Sequence, residues 1–171
     1  VNNPVGVFGE VLEVKNYNII CDSELLSQLK AIINGLGFTI YGLLYDGLSQ
    51  GQIMLDQLGY NKNILILDLG GASTKASLFS KGKMIKTAIF EIGSNLLTTD
   101  LATCLNVSFP EAERIKILYG TVFSDKVNQE ETVEVNSNSE GKKEIQKLLV
   151  CQILEARVKE LLTFIKKEIG N

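Results

Sequence analysis

The run Ile64-Leu65-Ile66-Leu67-Asp68-Leu69-Gly70-Gly71-Ala72-Ser73-Thr74 constrains this chain more than any other stretch. Its unbroken apolar start, without polar alternation, suits a strand buried on both faces of a sheet. The strand then meets a carboxylate, paired glycines and paired hydroxyls. An acid at the carboxyl end of a strand can organise a hydrated Mg²⁺, and glycines let backbone N–H groups come close to phosphate. On this reading Asp68 acts on metal-bound water, Gly70 and Gly71 wrap the phosphates, and Ser73 or Thr74 donates a hydroxyl hydrogen bond. The pattern is neither the G-x-x-x-x-G-K-[ST] loop nor the dinucleotide G-x-G-x-x-G. The competing reading is a tight β-turn whose glycines satisfy positive φ while Asp68 caps a backbone amide. The motif alone does not choose between them.

The surrounding pattern places this turn in a mixed α/β chain. Residues 75–79 and 84–92 read as strands joined by the hairpin signal Ser80-Lys81-Gly82-Lys83. Gly93-Ser94-Asn95 opens a helix, whose N-terminal amides offer an anion or ribose contact or simply a cap. Ser108-Phe109-Pro110-Glu111 is a capping box that launches another helix, ended by Gly120. On that helix Glu113 and Lys116 share a face at i, i+3 spacing. They can act as a carboxylate for ribose hydroxyls and an ammonium beside base or phosphate, or as a plain ion pair worth a few tenths of a kcal/mol, roughly.

Composition narrows the chemistry further. The 171 residues carry a net charge of −3 and no histidine. The length favours about one domain of ~100–200 residues. The missing histidine removes Ser-His-Asp and Cys-His nucleophiles and His-ligated zinc. The acidic balance gives no nucleic-acid footprint. Cys21, Cys104 and Cys151 form no C-x-x-C pair and read as small core residues. No apolar run approaches the ~18 residues of a membrane span. The first residue is Val1, so the chain is expected to be a piece of something longer.

Upstream, residues 11–14 and 17–20 read as strand, Asp22 as a helix cap, Leu25 to Leu36 as a helix stopped by Gly35 and Gly37, residues 38–45 as strand and 48–58 as a short helix, a small βαβ-like unit. Downstream, residues 127–135 read as an exposed strand or hairpin arm and 136–141 as a turn. From Glu144 onward, Val150, Leu154, Val158, Leu161, Ile165 and Ile169 make one stripe of a long amphipathic helix. Residues 142–171 carry +3, and the lysines and Arg157 there can receive an acidic peptide.

Taken in order, several segments resemble the bacterial cell-division family FtsA. They are the 64–74 run, the Gly82-Lys83 hairpin, Glu91-Ile92-Gly93-Ser94-Asn95 with Thr98, Thr99 and Asp100, Pro110-Glu111-Ala112-Glu113-Arg114-Ile115-Lys116, and Tyr119-Gly120. Pro4-Val5-Gly6-Val7-Phe8-Gly9 and the βαβ-like block resemble the stretch leading into that family's small inserted subdomain.

The resemblance implies an α/β, actin-like (ribonuclease H-like) partial domain with the FtsA-type inserted α+β subdomain and a long C-terminal helix. Residues 1–60 would be the inserted subdomain with its leading segment, residues 61–120 the first part of the second large subdomain with a phosphate loop, and residues 121–171 part of the small subdomain that takes a partner's tail. The implied function is an actin-like scaffold that polymerises and tethers FtsZ filaments to the membrane at the division septum. It would sit in the cytoplasm, on the inner face of the cell membrane. ATP and Mg²⁺ would be its cofactors, with no catalytic residue assigned and a weak ATPase at most.

ATP would be held by Asp68, Gly70, Gly71, Ser73, Thr74, Gly93, Ser94, Glu113 and Lys116, with Mg²⁺ on Asp68 through water. The FtsZ C-terminal tail would meet Arg157 and Lys147, other divisome proteins would meet residues 10–60, and copies would self-associate. The first phosphate loop, an adenosine-contacting segment and a membrane-binding helix would lie outside this chain. It would then hold half an ATP site and bind ATP weakly or not at all by itself. The family's third glycine is Ala72 here, its acidic residue is Lys75, and its frequent Gly-Gly is Gly93-Ser94. Alternatives are a nucleotide-independent interaction module, or another actin-superfamily protein such as a PilM-like pilus protein or a sugar kinase.

Overall fold

The computed structural model describes residues 5–14 and 16–170, so residues 1–4 of the expected leading segment lie outside the described ones. The chain divides into two compact units that part between Tyr45 and Asp46.

In the first unit, α1 (Ser23–Gly35) forms where the sequence places it. Asp22 caps it by accepting from the amides of Glu24 and Leu25 at 2.7 and 3.2 Å. Gly37, at φ 84°, lets the chain leave after the last turn. The strands expected at 11–14, 17–20 and 38–45 are not formed among the described residues. A strand persists only as part of a paired ladder with a face to bury. Val11, Leu12, Val14, Ile20, Phe38, Tyr41 and Leu44 are instead exposed, so their β-propensity goes unanswered.

The second unit begins with α2 (Asp46–Leu58), which packs on the sheet that follows it rather than belonging to the first 45 residues. That sheet has the order β1 (Ile64–Leu69), β2 (Thr74–Ser80), β3 (Lys83–Phe90), antiparallel throughout. Lys81 and Gly82 both take positive φ, 49° and 73°, as a two-residue hairpin turn demands. The expectation that β1 is buried on both faces fails. β1 is an edge strand among the described residues, paired only with β2, and Leu65 and Leu69 remain exposed.

α3 (Ser94–Leu105) ends at Asn106, which adopts a left-handed conformation. α4 (Phe109–Tyr119) follows, with Ser108 as its cap, Pro110 in its first turn and Gly120 at its end. β4 (Thr132–Ser137) and β5 (Gly141–Gln146) then make a hairpin closed by Gly141 at φ 71°. The sequence reading extended the long helix back to Glu144. Cross-strand pairing of residues 142–146 with β4 overrides that local helix preference, and α5 (Lys147–Ile169) starts where the Lys147 amide donates to the Glu131 carbonyl at 2.9 Å.

α5 serves two cores. Its first half sets Val150 and Leu154 among Leu101, Leu105, Ala112, Ile115, Val133 and Val135. Its second half sets Leu161, Ile165 and Ile169 against Ala76 and the sheet face carrying Leu67, Leu78 and Ala88. α2 covers the sheet's other face, where Gly51 lies under the buried Phe79 ring. Of the cysteines only Cys151 is a core residue; Cys21 and Cys104 are exposed, contrary to the expectation for all three.

Candidate functional site

β1 delivers Asp68 as its penultimate residue, half-buried at the end of the sheet. With Gln50, Ile53, Met54, Ile66 and Leu67 it lines a cleft of about 360 Å³ between α2 and β1. No described amide donates to its carboxylate, so the capping role offered by the turn reading does not account for it. The glycines do not serve that reading either, because neither Gly70 nor Gly71 has positive φ. What Gly70 needs is space, since a Cβ there would lie 2.8 Å from the Ser73 carbonyl oxygen, which accepts the Gly70 amide at 3.0 Å. This tight loop leaves the amides of Gly71, Ala72 and Ser73 without acceptors among the described residues. Successive unpaired N–H groups in a turn form an anion-receiving concavity.

The turn is fastened to α3. Gly70 and Gly71 present their carbonyls to the amides of Ser94 and Asn95, both at 2.9 Å. Gly93 permits the approach, because a Cβ there would lie 2.7 Å from the Gly70 oxygen and closer still to that of Gly71. The helix N-terminus expected to offer open amides therefore spends those of Ser94 and Asn95 on the turn. Gly93 and Ser94 position the loop through the backbone.

Thr74 departs further from expectation. It is fully buried, and its hydroxyl donates to the Ile92 carbonyl at 2.6 Å, tying β2 to the end of β3. It has no hydroxyl to offer a phosphate. The Ser73 hydroxyl has no partner among the described residues. Ala72, the methyl-bearing departure in the loop, is exposed.

Glu113 and Lys116 do share a face and pair at 2.7 Å. The ammonium also donates to the Thr98 hydroxyl at 2.8 Å and the Ser94 carbonyl at 3.2 Å. Its three hydrogens are thus engaged and it braces the start of α3. Lys116, and then Thr98 at 2.5 Å, hold the Glu113 carboxyl below its usual pKa. One Glu113 oxygen keeps its accepting capacity toward a ligand hydroxyl.

The structure separates the two expected partner-binding residues. Arg157 makes a bidentate bond to Asp100 at 2.6 and 2.9 Å and also pairs with Glu160, which raises its pKa and ties α5 to α3. Its guanidinium is partly exposed but paired with carboxylates of the protein itself. Lys147 pairs with Glu131 at 2.9 Å and lines a cleft of about 480 Å³ with Leu118, Tyr119, Phe123 and Lys126.

Sequence reasoning missed Asp46 and its pairing with Lys75 beside the turn. The signal lay in an acid at the head of α2 and a lysine in a strand, but pairing them required the packing of α2 on the sheet. It also missed Thr98 as the link between Glu113, Lys116 and Ser94, because a buried threonine within an apolar helix face reads as core.

A helix-covered antiparallel hairpin sheet, with its glycine turn fastened to the following helix, defines this chain as part of an actin-like α/β fold. MreB5 of Spiroplasma citri bound to ADP shares it, with a TM-score of 0.70 at 13% identity over 88% of this chain and 49% of that one. So does the PilM–PilN type IV pilus biogenesis complex, at 0.56 and 16% identity over 84% of this chain and 35% of that one. The sequence profile of the cell division protein FtsA matches residues 65–168, and the chain belongs to that family. It is 27% identical over 172 residues to FtsA of Buchnera aphidicola subsp. Baizongia pistaciae, covering 100% of this chain and 41% of that protein. To FtsA of Escherichia coli K12 it is 24% identical over 170 residues, covering 99% and 40%. The chain thus spans about two-fifths of the length of these curated relatives.

Proposed function

We propose that this chain carries one phosphate-holding wall of an actin-like cell-division scaffold, and that ATP is the ligand. The observation that carries the reading is the turn itself. Among the described residues the Gly71, Ala72 and Ser73 amides stand without acceptors and the Asp68 carboxylate beside them without a partner, in a loop fixed to α3 by two backbone hydrogen bonds. Preorganised amides cost nothing to orient when an anion arrives. The Ser73 hydroxyl adds a donor, and Glu113 accepts a ribose hydroxyl from the other side of the α3 N-terminus.

The residues present suit a hydrated Mg²⁺ held indirectly. Asp68 is a single, half-buried carboxylate with unused accepting capacity, as outer-sphere contact to bound water requires. Such an ion, when bound, neutralises phosphate charge. Asp68 orients its water shell, Gly70 keeps the loop tight and Gly93 keeps it seated. Polymerisation, tethering of FtsZ filaments and placement at the membrane belong to the same proposal. Its support is family membership. For the FtsZ tail, the cleft bearing Leu118, Phe123 and Lys126 suits an acidic, partly apolar peptide, with Lys147 there paired to Glu131 much as Arg157 is to Asp100.

Equilibrium binding of ATP with Mg²⁺ to the whole protein that carries this sequence tests the reading. Asp68→Ala is expected to weaken binding by roughly tenfold, about 1.4 kcal/mol, a typical cost of losing an ionic hydrogen bond. Equal affinity in both proteins would remove Asp68 from the site.

A further inference from the structure

We propose that Lys75 is a built-in countercharge for the phosphate turn and lowers the divalent-cation requirement of an anion held there. The proposal rests on the reading of Gly70–Ser73 as a phosphate-holding turn.

The strand register supplies the geometry. Leu69 pairs with Thr74 and Asp68 with Lys75, so Lys75 stands one pair inward from the mouth of the loop. Directly paired residues share a sheet face. Successive strand residues alternate faces, so Lys75 lies on the face opposite buried Thr74. That is the face covered by α2, and the Lys75 ammonium meets the carboxylate of Asp46, the first residue of that helix. Asp46 accepts its neighbouring Gly47 amide at 2.8 Å as well, and Lys75 is the main cause of its lowered pKa. Asp46, Lys75 and Asp68 therefore form a charged trio beside the turn.

Two features make this lysine available to a ligand. The side chains of Lys75 and Asp46 are 32% and 43% exposed, and an ion pair at that exposure is weakly held and open to exchange. Lysine is also a compact charge on a flexible stem, suited to meeting a phosphate without fixed geometry.

The cation supply at the turn is otherwise thin. Among the described residues no three acidic, cysteine or histidine side chains gather to hold a metal. A divalent ion would rest on Asp68 alone, across the ladder from an ammonium. Polyphosphate charge is thus shared between an indirectly held ion and a lysine that leaves Asp46 when the anion binds.

The test is calorimetric titration of ATP, and separately of inorganic triphosphate, into the whole protein with saturating MgCl₂ and with EDTA. The native protein is expected to lose about tenfold in affinity on removing Mg²⁺, the contribution held through Asp68, and Lys75→Asp at least about a hundredfold. Lys75→Met, which keeps most of the stem, falls between them. Asp46→Asn, which releases the ammonium, tightens binding in EDTA. Thermal midpoints of each variant separate loss of charge from loss of α2 packing. A Mg²⁺ dependence in the native protein that is unchanged in Lys75→Asp overturns the role of Lys75 and leaves the turn standing. No binding of either ligand under both conditions overturns the turn and the lysine together.

Discussion

Gly93 shows how little freedom the site has at the level of single residues. Its φ of −136° is open to any amino acid, so the demand for glycine is spatial and comes from the Gly70 and Gly71 carbonyls facing it. Gly93→Ala is therefore expected to push the loop off α3 and destabilise the protein by about 1–3 kcal/mol, the usual cost of inserting a methyl into a closed contact. Urea unfolding of the variant measures this, and a change within 0.5 kcal/mol, roughly the level of ordinary surface substitutions, would contradict it. The same residue marks what a sequence conveys. Gly70-Gly71 and Gly93-Ser94 announce backbone intimacy, but that the two pairs meet each other is visible only once β2 and β3 have returned the chain. Thr74 is the opposite case, where a hydroxyl in a promising motif is consumed by Ile92 because the strand alternation turns it inward.

Between elements, partly buried ion pairs and hairpins carry the organisation. Glu111 on α4 accepts from Arg114 at 2.8 and 2.7 Å and from the Asn136 amide of β4 at 3.0 Å. The Arg114 guanidinium, with help from that amide, outweighs burial and holds the Glu111 carboxyl at about 2, against 4.5 for an ordinary glutamate. The folded state thus binds this proton less readily than the unfolded chain. The stabilisation is complete above about pH 4.5 and fades as pH falls toward 2. Glu111→Gln should flatten the fall of the urea midpoint across that window. Part of the fall should survive, because Glu155, held down by Lys159 and Ser124, titrates in the same range. An unchanged acid limb would remove Glu111 from the account. Helices with strong end signals, such as α4 with its capping box and α1 with Asp22, were legible from sequence. β5 was not, because Lys142, Lys143 and Glu144 suit a helix and only pairing with β4 makes them a strand.

For the molecule as a whole, the order of motifs identified the family, while the seam between units lay hidden. α2 follows the first 45 residues in sequence, yet its Gly51 is shaped to the Phe79 ring, a relation no local pattern announces. The strands expected before it shared that obscurity, since their apolar residues have no ladder among the described residues. Family membership frames the proposal for the turn, as a surface that would receive phosphate within an actin-like protein whose relatives are more than twice this length. The most direct measurement is residue-specific amide NMR of the whole protein titrated with ATP and Mg²⁺. The account predicts the largest shifts at Gly71, Ala72 and Ser73, smaller ones at Lys75, and little change at Thr74. Shifts that spare residues 71–73 while ATP demonstrably binds would contradict it.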